Sequence, residues 1–298
     1  MPAREIMTLL TDLSYLECPR WHDGRIWISD FYTSQVLSAY EDGGDVSVEA
    51  EVPQQPSGLG WLPDGRLLIV SMRDAKILRR EPDGTLVTHA ELGDHVTGHP
   101  NDMVVDADGR AYVGNFGFDL MSGADIETAA LLRIDPDGSV VQVADDLWFP
   151  NGSVITDDNV LIVDETLGNR ISAFDIAGDG SLGPRRDWAR FGDLPPTRAL
   201  AEALPHGVVA PDGCGLDAEG MLWVADALHG RVLRVQEGGQ IREEVSVGTG
   251  VFACMLGGAD GRTLYLCAAP DFAEHNRRAA REAQLLAVRV DVPHAGRP

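Results

Sequence analysis

The 298-residue chain contains no apolar run of membrane-spanning length and no basic segment leading into an apolar stretch. A helical anchor and a secretion signal are therefore set aside, and the expectation is a cytoplasmic protein with no membrane partner. Cysteine is scarce: Cys18, Cys214, Cys254 and Cys267 show neither CxxC spacing nor an accompanying histidine pattern. They read as buried free thiols rather than a disulfide framework or a zinc cluster. A GxSxG elbow and a Gly-rich phosphate loop are both missing, which argues against a serine hydrolase or a nucleotide enzyme. Basic residues are too few for a nucleic-acid partner: 24 Lys and Arg against 47 Asp and Glu leave a net charge of −23, which repels phosphates. That charge suits an acidic solvated surface and is compatible with a divalent cation. Asp106-Ala-Asp108-Gly109 looks like the start of a helix-loop-helix calcium loop. Position twelve, where a glutamate is required, is Gly117, so the segment is a hairpin turn.

What the chain does have is a repeat. RWHDGRIWISD, GWLPDGRLLIV, VVDADGRAYVGN, VITDDNVLIVD, GLDAEGMLWVAD and LGGADGRTLYLC each break a strand-like run with a tight turn. The turn residues Gly24, Gly65, Gly109, Asn159, Gly220 and Gly261 lie 41, 44, 50, 61 and 41 apart, one propeller blade each. A second β-rich run follows every pair, as in SQVLSAYEDGG and AALLRIDPDG, and the first five end in Gly-containing turns that close a further hairpin. The expected fold is all-β: a six-bladed propeller of four-stranded antiparallel blades, strands A to D from the axis outward. The sixth copy runs out of chain near Val290, so residues 4 to 12 are expected to supply its outer strand and close the ring. With 44% hydrophobic residues and no visible linker, residues 1–298 read as one domain.

The A to B turns lie on one face, so the start of A, the end of B and the start of C lie on the other, here called the top. The long segments 115 to 130, 192 to 211 and 268 to 284 all fall there, where a propeller usually keeps its site. Eight residues back from each turn residue lie Ser57, Asn101, Asn151, Asp212 and Ala253 in blades two to six. In blade one the count reaches Leu16, and a one-residue shift brings in Glu17. Glu17, Asn101, Asn151 and Asp212 would thus converge on the upper axis as two carboxylates and two amides. That hard oxygen shell suits one divalent metal ion, Ca²⁺ above all, with Mn²⁺, Mg²⁺ or Zn²⁺ as alternatives. Taken singly, such residues cap turns, as in PND, PNG and PDG; four at equivalent repeat positions favour the metal site. Asp30, Asn115, Asp164 and Asp226 end their B strands at the top, as supports for the site or as blade-linking groups. Phe116, Phe118, Trp148 and Phe149 flank the mouth, as a substrate wall or as packing between blades. His206, His229 and His275 fall in top loops with nothing to fix their direction.

LECPRW with Glu17, HPNDMVVDADGRAYVGN with Asn101 and Asp102, FPNGSVITDDN with Asn151, and PDGCGLDAEGMLWVAD with Asp212 carry a resemblance. Across about residues 10 to 290 the chain resembles the senescence marker protein, gluconolactonase and luciferin-regenerating enzyme family. The resemblance implies a six-bladed propeller that binds one divalent metal ion and hydrolyses a lactone. It implies Glu17, Asn151 and Asp212 as metal ligands, with Asn101 a longer fourth ligand or a contact to substrate and water. In sugar-lactonase members an arginine commonly sits two residues before that asparagine; here the position is His99, which leaves room for a less polar ester or lactone. Both lines of reading suggest metal-assisted hydrolysis, with Asp212 orienting or deprotonating the water and His99 the next candidate base. His99, Asn101, Asn115 and Phe116 are the expected substrate contacts, and the partner is a small-molecule lactone or ester. Alternatives are a non-catalytic calcium-binding regulator or scaffold, phosphotriester hydrolysis, or a metal-free condensation on the same propeller.

Overall fold

A computed structural model describes residues 4–297. Each repeat folds into a four-stranded antiparallel sheet, and the six sheets stand as blades around one axis. Blade one comprises, from the axis outward, Leu16–His22, Arg25–Asp30, Gln35–Ala39 and Ser47–Glu51. The inner strands of blades two to six are Pro56–Trp61, Pro100–Val105, Pro150–Ile155, Pro211–Leu216 and Gly250–Gly257.

The repeat is anchored by its turns. All six turn residues hold a left-handed backbone, from φ 58° at Asn159 to φ 85° at Gly65. Asparagine replaces glycine in blade four because its short polar side chain tolerates that conformation better than other residues do. Between blades the sheets bury Val, Ile, Leu and aromatic side chains in contiguous clusters. The four cysteines are free and buried, Cys214, Cys254 and Cys267 within these clusters.

Ring closure follows the expectation. Ile6–Leu13 pairs antiparallel with Ala283–Arg289, Ile6 facing Val288 and Leu13 facing Ala283, and becomes the outer strand of blade six. Arg4 extends the seam by pairing with Glu243 and with Asp291. The closing strand covers the outer edge of Ala283–Arg289, which would otherwise be unpaired. Among the described residues, no helix is long and apolar enough to cross a membrane.

The turn-capping alternative does not hold for PNG and PDG: Asn151-Gly152 and Asp212-Gly213 lie inside the inner strands Pro150–Ile155 and Pro211–Leu216. A Cβ on Gly152 would sit 2.3 Å from the Asp212 carbonyl oxygen, and one on Gly213 would sit 2.5 Å from the Ala253 Cβ. These glycines are required because neighbouring inner strands approach too closely for a side chain.

Deleting residues 1–13 removes the closing strand and exposes the edge of Ala283–Arg289. The melting temperature, followed by circular dichroism, is expected to fall by on the order of 10 °C, the shift that several kcal/mol produce in a chain of this size. An unchanged melting temperature would show that the segment contributes nothing to closure.

Candidate functional site

The top of the axis opens into a cavity of about 410 Å³ that Glu17, Asn101, Asn151 and Asp212 all line. Each is no more than 7% exposed. In blade one, the ladder explains why counting back from the turn overshoots. His22 faces Arg25 across two residues, whereas Val105 faces Ala111 across five. Leu16 opposes Asp30, the last residue of its B strand, as Pro100 opposes Asn115, so Glu17 is the position equivalent to Asn101, and the shorter turn brings it one residue nearer to Gly24.

The amides do not cap turns. The Ser57 hydroxyl donates to Asn101 Oδ1 (3.0 Å), Asn101 Nδ2 donates to Asn151 Oδ1 (2.8 Å), and Asn151 Nδ2 donates to Thr166 Oγ1 (3.1 Å). Thr166 donates in turn to the Pro211 carbonyl (2.9 Å). This relay crosses from blade two to blade five and holds both amide planes in one orientation.

The carboxylates are buried without a cation between them. Burial, then the charge of Asp102, pushes the Glu17 carboxyl up to about 8, while the Tyr15 hydroxyl, which donates to it at 3.1 Å, pulls the other way. Burial followed by the charge of Glu17 holds Asp212 well above the carboxylate range, against the Asn151 amide. The nearby Arg20 is already committed to Asp102 at 2.6 Å and to the Met103 carbonyl at 2.7 Å. Among the described residues no group of three or more His, Cys, Asp or Glu side chains is placed to hold a metal. The donors here are two carboxylates and two amide oxygens. Their chemistry nevertheless fits a hard divalent ion, whose charge would offset two buried carboxylates that lack a counter-charge.

His99 lines the same cavity with its ring edge toward Phe116, 6.0 Å between centroids. Burial first and the Arg73 charge second hold it below the ordinary histidine range, which favours the neutral imidazole. Phe116 and Phe149 line the cavity, while Phe118 and Trp148 are buried in the core beside it. Asn115 is not part of the lining; its amide donates to the Ala130 carbonyl (2.8 Å) and accepts from Gly117 N–H (2.9 Å). Asp30 and Asp226 are not part of the lining; each accepts from the backbone N–H that leads into the inner strand of its own blade, Tyr15 (3.1 Å) and Ala210 (3.1 Å). In blade four the B strand ends at Glu165, not Asp164. Asp164 is fully buried, and burial pushes its carboxyl well above the carboxylate range, with the Cys214 thiol pulling the other way.

Two residues before each axial position stand Tyr15, Gln55, His99, Phe149 and Ala210, and one residue after each B strand stand Phe31, Met72, Phe116, Thr166 and Ala227. All ten line the cavity, and each B-strand neighbour donates its backbone N–H to the carbonyl of its A-strand counterpart, as Phe116 does to His99 (3.0 Å), so the two sets stand side by side. His99, Phe116 and Phe149 are among the residues the sequence singles out; the other seven are not, although the same counting that located Asn101 reaches them.

A six-bladed propeller with carboxylates and amides gathered at the mouth of its axis is the class these observations define. The chain belongs to the SMP-30/Gluconolactonase/LRE-like family, whose model matches residues 16–270. It is 26% identical over 301 residues to 6-deoxy-6-sulfogluconolactonase of Pseudomonas putida, covering 95% of this chain and 93% of that one. It is 31% identical over 184 residues to regucalcin of Danio rerio, covering 60% of this chain and 57% of that one. The solved regucalcin of Agrobacterium tumefaciens, described as a calcium-binding protein, superposes with a TM-score of 0.80 at 19% identity over 99% of this chain and 97% of its own. At that identity the likeness speaks for the fold.

Removing one partner of the buried Arg20–Asp102 pair strands a charge. Asp102→Ala is expected to cost about 3–5 kcal/mol, read from urea unfolding, whereas Arg20→Met with Asp102→Leu should recover most of that loss. Equal losses in the single and double variants would show that the pair is not the stabilising unit.

Proposed function

We propose that the protein is a divalent-metal-dependent lactonase whose site is the polar floor of the top cavity. The observation that carries this reading is the meeting of Glu17, Asn101, Asn151 and Asp212, drawn from four blades, with two buried carboxylates and no cationic partner. The names of relatives support the choice of reaction: besides the sulfogluconolactonase, a pentonolactonase of Haloferax volcanii is 27% identical over 95% of this chain.

Glu17, Asn151 and Asp212 would hold the ion, Ca²⁺ in the first instance, with Asn101 completing the shell or contacting substrate. When bound, the ion polarises the ester carbonyl and makes a coordinated water more acidic. The remaining work falls to the chain. Asp212 takes the proton of the attacking water, and the relay from Ser57 through Asn101 to Asn151 keeps the donors from reorienting. The water oxygen joins the acyl carbon, the ring carbon–oxygen bond breaks, and the ring oxygen leaves with a proton as the hydroxyl of a hydroxy acid. Neutral His99, at the cavity wall, orients the substrate or shares in proton transfer. A second reading rests on the same floor: a calcium-holding regulator, which the regucalcin relatives favour.

Elemental analysis of the purified protein is expected to find about one divalent ion per chain, and hydrolysis of a lactone panel should vanish on chelation and return on reloading. Metal bound without turnover on any lactone would favour the regulator.

Asp212→Asn keeps the size of the side chain and removes its basicity. The expected result is a fall in kcat of roughly 10² or more with the fold intact. Glu17→Gln should act mainly through metal affinity, so that added cation restores part of its activity. Two variants as active as the parent at trace metal would remove the axial cluster from the mechanism.

A further inference from the structure

Resting on the lactonase reading, we infer that the substrate is a lactone carrying a hydrophobic alkyl or aryl substituent, not a polyhydroxylated sugar lactone. The cavity lining is of two kinds. Its floor is the carboxylate and amide cluster, and its wall is set by the repeat. Phe31, Met72, Phe116 and Ala227, each just after a B strand, and Phe149 and Ala210, each just before an inner strand, face the cavity. The polar members are mostly occupied. The Tyr15 hydroxyl donates to Glu17, Gln55 accepts from Arg73 (3.0 Å) and donates to the Met72 sulfur (3.3 Å), and Thr166 is held by Asn151 and the Pro211 carbonyl. Arg73 itself is paired with Glu274 at 2.7 Å. Above the floor the polar neighbours of a sugar lactone would be His99 and the already paired Arg73 and Glu274; its remaining hydroxyls would be buried against an apolar wall, and unpaired buried hydroxyls oppose binding.

The rim points the same way. Met121, Leu228 and Phe272, from three separate top loops, are 44%, 39% and 45% exposed and line the cavity entrance. Phe272 is not free to swing: the Tyr32 hydroxyl donates to its carbonyl at 3.0 Å, and its ring lies edge-on to Phe252. Apolar side chains kept in water on three loops around one opening form a path for an apolar group. A volume of about 410 Å³ is of the size that encloses most of a small ligand, so the reacting ring reaches the floor while its substituent lies against the apolar wall.

The test uses the full chain loaded with Ca²⁺ and a series of γ-lactones from γ-butyrolactone to γ-nonalactone, beside glucono-δ-lactone. The expected kcat/KM rises with chain length, by about fourfold for each methylene fully buried, and the sugar lactone falls at least tenfold below the best alkyl lactone. A flat or falling series, or preference for the sugar lactone, overturns the proposal and leaves the lactonase reading standing. Binding of the matching γ-lactams, which resist hydrolysis, is measured by calorimetry alongside. Chain-length-dependent lactam binding with no lactone turnover would support the apolar ligand class and sink the lactonase reading. Lactam affinity independent of chain length counts against the proposal whatever the turnover. Phe272→Ser and Leu228→Ser lie at the exposed rim, where folding is least at risk, and each is expected to lower the rate ratio of γ-nonalactone to γ-butyrolactone by about threefold or more. An unchanged ratio in both would place the substituent elsewhere.

Discussion

Six inner strands meeting at one axis leave little room between them, and this crowding governs the rest of the structure. Where Pro150–Ile155 passes Pro211–Leu216, and where the latter passes Gly250–Gly257, only a glycine fits. The residue just before each of those glycines, Asn151 or Asp212, is thereby held at the mouth of the axis. A steric requirement of the backbone and the placement of a polar side chain are the same local fact. The Ile6–Leu13 strand matters for the same reason, since closing blade six holds the other five inner strands at this spacing.

Crowding also decides the electrostatics. Glu17, Asp102 and Asp212 are brought close enough to influence one another in a region shielded from water. The guanidinium there, Arg20, is spent on Asp102. The axis thus carries its compensated pair below and its uncompensated carboxylates above, at the cavity floor. Burial of charge without a partner is costly in any fold, and that cost falls on the two carboxylates of the floor. The amide relay contributes rigidity rather than charge, because each amide is fixed by a donor on one blade and an acceptor on another.

The strand repeat was legible because it has a local cause. A left-handed turn residue at Gly24, Gly65, Gly109, Asn159, Gly220 and Gly261 restricts the choice of amino acid regardless of what packs above it. The blades, their order, the closing strand and the axial positions in blades three to five followed from counting. Glu17 needed an adjustment because blade one has a shorter A to B turn, which the residue types do not announce. Asp164 was misplaced by one residue for a related reason: alternation along a strand makes a single step the difference between facing the mouth and facing the core.

The sequence alone therefore determined the period, the number of blades and the set of oxygen donors, since each depends on residues close together in the chain or at equal spacing along it. Only the tertiary structure decided that PNG and PDG are points of contact between strands. Nor could residue types show that Asn115 turns away into its own loop, or that Tyr15, Gln55 and Thr166 spend their polar groups on neighbours. Those outcomes depend on which partner from another blade arrives within hydrogen-bonding distance, and that is set by how six sheets pack around an axis rather than by any one of them.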